Sequence, residues 1–221
     1  AHQDISHKFR FEVKPSLQAF DRMKQICQAL NARILLIQTP GSFRPEKLDE
    51  AERFFREAPR DDLVVVWETR GAAWDTPHVR RELAETLSEL NVPHVTDPFQ
   101  TTPAYTSDIA YFRLHGLGKE LYYYQYTDDE LRRLHEWVLP FEREGKQVYV
   151  LFNNLAMFDD GLRFVHYMEN GSFPSLTGSI GLDSVRSAIE KTRYPITKSL
   201  LSKRLGWRLV ELEPGKQMRL D

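Results

Sequence analysis

Leu63-Val64-Val65-Val66-Trp67-Glu68-Thr69-Arg70 is the stretch that decides the fold. Its apolar start has the length of a buried strand and is far too short to cross a bilayer. Side chains alternate faces along a strand, so Glu68 and Arg70 continue the face of Val64 and Val66. The segment therefore begins in a core and ends in charge. Working outward, residues 9–14, 33–38, 93–97, 109–115 and 147–153 repeat this design, giving about six strands with residues 63–68. Helical patterns separate most of them. Phe20, Met23, Cys27 and Leu30 recur at spacings of three and four, and residues 46–57 and 79–90 behave alike. Thr127 predicts an N-cap, with Glu130 completing a capping box, ahead of a helix that presents Leu131, Leu134 and Val138 on one side. Strands alternating with helices imply βα units, a parallel sheet and right-handed crossovers.

Bulk properties narrow the class. The 221 residues suffice for one large domain, or for a domain with a small appendage. A hydrophobic content of 41% with 28% charged residues is globular, and a net charge of −2 points to no general nucleic-acid or membrane affinity. Cys27 is the only cysteine, so no internal disulfide can form, and a reducing, cytoplasmic setting is expected. No signal-peptide pattern opens the chain. It begins at Ala1 rather than Met, which leaves room for upstream residues.

The last fifty residues differ in character. Residues 171–178 are rich in Gly, Ser and Pro and read as a linker. A helix is expected over residues 184–191. A second short helix, capped by Thr197 and ended by Gly206, follows Pro195. Residues 207–212 and 217–220 can pair as a hairpin across Glu213-Pro214-Gly215-Lys216. From Gly181 onward nine Lys or Arg stand against five Asp or Glu. The division expected is residues 1–172 for the main domain and 173–221 for a small basic appendage. Its helix and hairpin resemble part of a winged-helix DNA binder, with one helix too few; a solvated packing appendage is the simpler reading.

Polar residues gather where strands end. Lys14, Gln38, Glu68 with Arg70, Asp97, Arg113 with His115, and Asn153 with Asn154 all fall there. Parallel α/β folds bind ligands beyond the carboxyl ends of their strands. The plainer alternative is that strand ends meet solvent and turn polar anyway.

Several strings resemble the YecE-like family, a domain of unknown function (number seventy-two). They are Phe11-Glu12-Val13-Lys14, Leu36-Ile37-Gln38-Thr39-Pro40, Trp67-Glu68-Thr69-Arg70 with Trp74, Tyr111-Phe112-Arg113-Leu114-His115-Gly116, and Phe152-Asn153-Asn154. The resemblance spans roughly residues 9–170, and the wording is archaeal in type. It implies a TIM-type (β/α) barrel and no established activity. The family's first two strands have no counterpart here, so the barrel is expected to be incomplete: a preceding segment or a second chain supplies the absent strands, or the barrel is open. The family's usual Asn-Ala or Asp-Ala pair reads Asp160-Gly161, a change expected to loosen the last helix.

The chemistry these residues offer is mainly anion recognition. Lys14, Arg70 and Arg113, with His115, outnumber Glu68 and Asp97, and guanidinium forks suit phosphate or carboxylate. Gly116-Leu117-Gly118-Lys119 follows the strand after which TIM barrels often hold phosphate, although an ordinary turn explains it as well. Trp74 and the tyrosines at 122, 123, 124 and 126 can stack on bases or sugars, or simply cover the sheet. No tight metal motif occurs; at most a loosely held Mg²⁺ on Glu68 or Asp97 is allowed. Lys14 could form a Schiff base only if desolvated. Cys27 reads as core.

Two functions follow. One is binding, extending to hydrolysis, of a phosphate-bearing ligand (nucleic acid or sugar phosphate). Glu68, Arg113 and His115 would be catalytic, and Lys14, Gln38, Arg70, Trp74, Asp97, Gly116, Asn153 and Asn154 would bind. The other is a non-catalytic binding or assembly module, whose polar cluster is a structural salt-bridge network. Neither implies a membrane.

Overall fold

The computed structural model describes residues 3–221. The chain forms two compact units, residues 1–112 with 141–149, and residues 113–140 with 150–221.

The first unit opens on a short π-helix, Asp4–Lys8, and a turn in which Arg10 and Phe11 hold φ of 48° and 65°. Helix α1 then spans Val13–Ala29. This overturns the strand expected over residues 9–14, and Lys14 sits exposed in the first turn of α1 instead of at a strand end. The physical reason is Phe11. Its ring is fully buried, with centroids 5.2, 5.3, 5.4 and 5.8 Å from Phe43, Phe54, Phe55 and Trp67. The left-handed turn delivers this ring to the core, and Pro15, which lacks an N–H, is tolerated in the first helical turn that follows.

Strand β1 (Ile34–Gln38), helix α2 (Leu48–Glu57), strand β2 (Val64–Glu68), helix α3 (Pro77–Leu90) and strand β3 (His94–Val95) follow in order. β1 and β2 run parallel, from Ile34 opposite Val64 to Gln38 opposite Glu68, and β2 and β3 pair parallel through Trp67 and His94. Strand β4 (Ile109–Leu114) is reached through a parallel bridge between Thr96 and Phe112. Phe20, Cys27, Leu48, Phe54, Phe55, Leu83 and Leu87 fill this unit's core from its helices. Cys27 is a free thiol, only 6% exposed. Trp74 is also core, buried with its ring parallel to Phe43 at 6.3 Å and its Nε1 donating to the Phe43 carbonyl at 3.1 Å. It therefore presents no face to a ligand, contrary to the binding role expected of it.

Helix α4 (Asp128–Arg143) leads to strand β5 (Gln147–Phe152), which pairs with β4. The Gln147 N–H donates to Asp108 O and the Asn153 N–H to Leu114 O, each at 2.8 Å. Both strands advance equally between these bonds, so the pair is parallel. The capping box forms as expected. Thr127 N–H donates to Glu130 Oε2 at 2.8 Å, and Glu130 N–H to Thr127 Oγ1 at 3.2 Å. Leu131, Leu134 and Val138 are the buried face.

In the second unit, helix α5 (Met157–Asn170) leaves Phe158, Leu162 and Val165 more than half exposed, and the neighbouring Leu151 of β5 is 37% exposed. The tail follows its sequence pattern closely. Helix α6 spans Leu182–Ile189, and helix α7 spans Lys198–Leu205 with Thr197 Oγ1 accepting from Leu200 N–H. Strands β6 (Leu209–Glu213) and β7 (Lys216–Arg219) form the antiparallel hairpin. The tail belongs to the second unit rather than standing apart. The Leu209 N–H donates to Gln125 Oε1 at 2.9 Å, and the Arg219 guanidinium lies 4.0 Å from the Tyr124 ring centroid. Among the described residues no helix is long and apolar enough to cross a membrane.

Candidate functional site

In the first unit the parallel register sets Gln38 beside Glu68 at the carboxyl ends of β1 and β2. Thr39 clamps this end, donating to the Glu68 carbonyl from its N–H at 3.0 Å and from Oγ1 at 3.1 Å. The Glu68 side chain is buried and accepts from Arg70 Nε at 3.0 Å. Arg70 Nη2 in turn donates to Gln38 Oε1 at 3.3 Å. The guanidinium is thus held by two strand ends while a quarter of its side chain stays exposed, against 5% for Glu68. Three of the residues singled out by strand parity meet here.

Asp97 closes β3 differently. Its Oδ1 accepts from Phe99 N–H at 3.1 Å and its carbonyl from Gln100 and Thr101, which makes it a turn former. His94, the first residue of β3, escaped the sequence reading. It is buried, its Nδ1 accepts from Ala104 N–H at 3.1 Å, and its Nε2 lies 2.9 Å from Thr69 Oγ1. The bond to Nδ1 places the proton on Nε2. Burial, with the charge of Arg80 second, pushes the imidazole down to about 3, so it is a neutral strut.

In the second unit Arg113 and His115 lie at the end of β4. His115 is buried beside the Tyr122 ring, with centroids 5.9 Å apart, and its carbonyl accepts from Tyr122 N–H. Gly116 has φ +93°, and a Cβ there would stand 2.5 Å from that of Tyr124, so only glycine fits. Its N–H donates to the Tyr126 hydroxyl at 2.9 Å. The Gly116–Lys119 loop is therefore pinned by tyrosines. Tyr124 and Tyr126 are buried edge to face 5.0 Å apart, and Tyr123 is 41% exposed. Burial, then the Glu130 carboxylate, drives the Tyr124 phenol upward.

Asn154 is engaged internally. Its Nδ2 donates to Tyr124 O at 2.8 Å and to Asp160 Oδ2 at 2.7 Å. Asn153 is half-buried, and its N–H is used by β4. Asp160, fully buried, also accepts from Tyr126 N–H at 3.1 Å and from Arg163 Nη1 at 3.0 Å. Arg163 further bonds Asp128 and the Tyr126 carbonyl. Asp160 does not loosen α5, as expected from the sequence, but fastens its first turn. The only advance sign of this network was the i, i+3 spacing of Asp160 and Arg163. Lys14, exposed on α1, lacks the desolvation that a Schiff-base lysine needs. Among the described residues no three His, Cys, Asp or Glu side chains cluster as metal ligands would.

The model of the family described as "Protein of unknown function DUF72" matches residues 1–170. No curated protein matches significantly. Two crystal structures of a DUF72 family protein (EF0366) from Enterococcus faecalis V583 are similar. In one, the sequence identity is 21% and the TM-score 0.51, over 76% of this chain and 70% of that one. In the other, identity is 20% and the TM-score 0.53, with the same coverage. At such identity the likeness concerns the fold. The parallel α/β order, the strand-end polar residues and the family match over 170 residues agree, and the chain belongs to the DUF72 family.

Proposed function

We propose that the chain binds a phosphate-bearing ligand, a sugar phosphate or nucleotide, at the carboxyl ends of its parallel strands. The observation that carries this reading is Arg70. Glu68 and Gln38 orient its guanidinium at the ends of two adjacent strands, and a quarter of its side chain stays exposed. A guanidinium fixed in this way is a cation that suits phosphate. Arg113 and His115, at the end of β4 in the second unit, are cationic and proton-carrying groups of the kind hydrolysis uses, but the binding reading rests on Arg70 of the first unit alone. Glu68 already holds Arg70, so a Mg²⁺ there would have to displace the guanidinium.

The fold belongs, in this reading, to an incomplete TIM-type barrel. Parallel strands adjacent in chain order, β1, β2 and β3 with a bridge on to β4, support it. The exposed Leu151 on β5 and the exposed stripe on α5 suit a preceding segment or second chain that would continue the sheet. A cytoplasmic setting is consistent with a single buried free thiol.

Calorimetric titration with inorganic phosphate, sugar phosphates and mononucleotides tests the proposal. Wild-type protein should bind at least one, and Arg70→Lys, which keeps a cation beside Glu68 but loses the planar guanidinium, should weaken it about tenfold or more at unchanged melting temperature. A second reading, a structural salt-bridge network, is favoured by the 3.0 Å Glu68–Arg70 pair. On that reading nothing binds, and Glu68→Ala or Arg70→Ala costs about 3 kcal/mol of stability.

A further inference from the structure

The tail carries a charge pattern that the strand-end site does not use. Between residues 191 and 208 stand six cations, Lys191, Arg193, Lys198, Lys203, Arg204 and Arg208, and not one Asp or Glu. The whole chain carries a net −2, so this concentration is local. Elsewhere in the tail the cations are engaged, Arg186 with Asp183 at 2.6 Å, Lys216 with Glu213 at 3.5 Å, and Arg219 with the carbonyls of Gln125 and Trp207. Among the described residues none of the six has an ion pair or a side-chain hydrogen bond. Five of them are exposed, and Arg208 is half-buried.

The element that displays them is unusual for its lack of packing. Helix α7 has eight residues and buries none of them. Short isolated helices are marginal in water and normally depend on a buried face. Here Thr197 caps one end. At the other, the Trp207 indole N–H donates to Arg204 O at 2.7 Å. The helix is thus fixed at its ends, and while Leu201, Ser202 and Leu205 are half-buried, its Lys and Arg side chains stay exposed.

A cleft of about 310 Å³ lies against α7. Ile196, Leu201 and Leu205 give it apolar surface, and Lys191, Arg193 and Arg204 line it with cations. Tyr194, between the first two cations and the helix, is 60% exposed. A purely ionic partner would not need the apolar surface. A lipid surface would need larger apolar side chains presented outward along the helix, and the exposed positions of α7 are mostly Lys, Arg and Ser. Apolar surface ringed by cations, with an exposed aromatic beside it, fits a chain of alternating bases and phosphates.

We infer that residues 191–208 form a binding surface for single-stranded nucleic acid. Lys191, Arg193 and Arg204 hold successive phosphates, a base enters the cleft over Ile196 and Leu201, and Tyr194 stacks on a neighbouring base. Lys198 and Lys203 extend the positive field that draws the strand in. This surface is independent of the strand-end site, since it shares no residue with it.

The test is fluorescence anisotropy of the full chain with a labelled oligothymidylate or oligouridylate of about ten nucleotides, over a salt series starting near 50 mM. Binding is expected, with affinity falling as salt rises. The triple variant K191A/R193A/R204A should lose about tenfold or more in affinity. Its slope of log affinity against log salt should fall by about 2, at ~0.7 for each phosphate no longer neutralised. Tyr194→Ala should weaken binding about fivefold or more with the slope unchanged, the mark of stacking rather than charge. All four positions are exposed, so circular dichroism melts should stay at the wild-type value. The inference is overturned if neither oligonucleotide binds at the lowest salt. It is equally overturned if the triple variant binds as wild type does, or if heparin or phosphatidylserine vesicles compete as well as unlabelled oligonucleotide.

Discussion

Asp160 shows how far a single side chain can depart from its local appearance. An aspartate in the first turn of a helix normally faces solvent and favours the helix dipole. This one is fully buried, and its partners come from six residues back at Asn154 and thirty-four back at Tyr126. No local pattern announces contacts of that range, which is why Asp160-Gly161 read as a weak point. Burial lifts the carboxyl from 3.8 to about 7, against the opposing pull of Asn154, the Tyr126 N–H and Arg163. The folded state therefore holds a proton that the unfolded state has released between about pH 4 and pH 7. The stability linked to this group is fully present below about pH 4, declines as pH rises toward 7, and is flat above. Urea unfolding of wild-type protein should show that decline. Asp160→Asn should lack it and be less stable by about 2 kcal/mol near pH 7, because an amide NH₂ would confront donors already in place. Parallel pH profiles for the two proteins would show that Asp160 does not titrate in this window.

At the scale of elements, the signals that could be read were those whose cause is local. The Thr127–Glu130 box, the Thr197 cap, the Gly206 stop and the β6–β7 turn each involve neighbours a few residues apart, and each occurs as expected. Thr127→Ala should cost about 1 kcal/mol. Combining it with Glu130→Ala should cost less than the sum of the two, since both serve one box; equilibrium denaturation of the three variants measures this. Residues 9–14 misled because Phe9, Phe11 and Val13 alternate as a strand would, while their burial depends on rings forty and more residues away. Phe54, Phe55 and Trp67 claim Phe11, and the chain bends through positive φ to deliver it. Trp74 misled for a related reason. A tryptophan after a strand end looks available, but the turn at Ala72–Asp75 folds it back against Phe43.

For the whole chain, strand parity was enough to find Gln38, Glu68 and Arg70 as one group, because a parallel register aligns strand ends automatically. It could not say which polar residues would be used up inside the fold. Asn154 and Asp97 carry the same chemistry as ligand-binding residues, yet the partners seen for them are backbone groups and Asp160. That outcome depends on loops returning from elsewhere in the chain. The acid-free run from Lys191 to Arg208 was visible as a basic excess over the whole tail. Its concentration around α7, a helix with no fully buried residue, emerges only when the paired cations are set aside.

The buried Cys27 has a practical consequence. As the single thiol of the chain, it makes any thiol-directed reagent a site-specific clock for α1. Burial raises its pKa, so even the small fraction of thiolate is suppressed while the helix is seated. Modification should then proceed only through transient openings, at a rate that measures their free energy without a spectroscopic label. Phe11→Ala, which removes the ring at the centre of the first unit's core, should speed that reaction sharply under conditions where the protein remains folded by circular dichroism. An unchanged rate would mean that Cys27 is reached by local fraying near Ala29 rather than by release of the core.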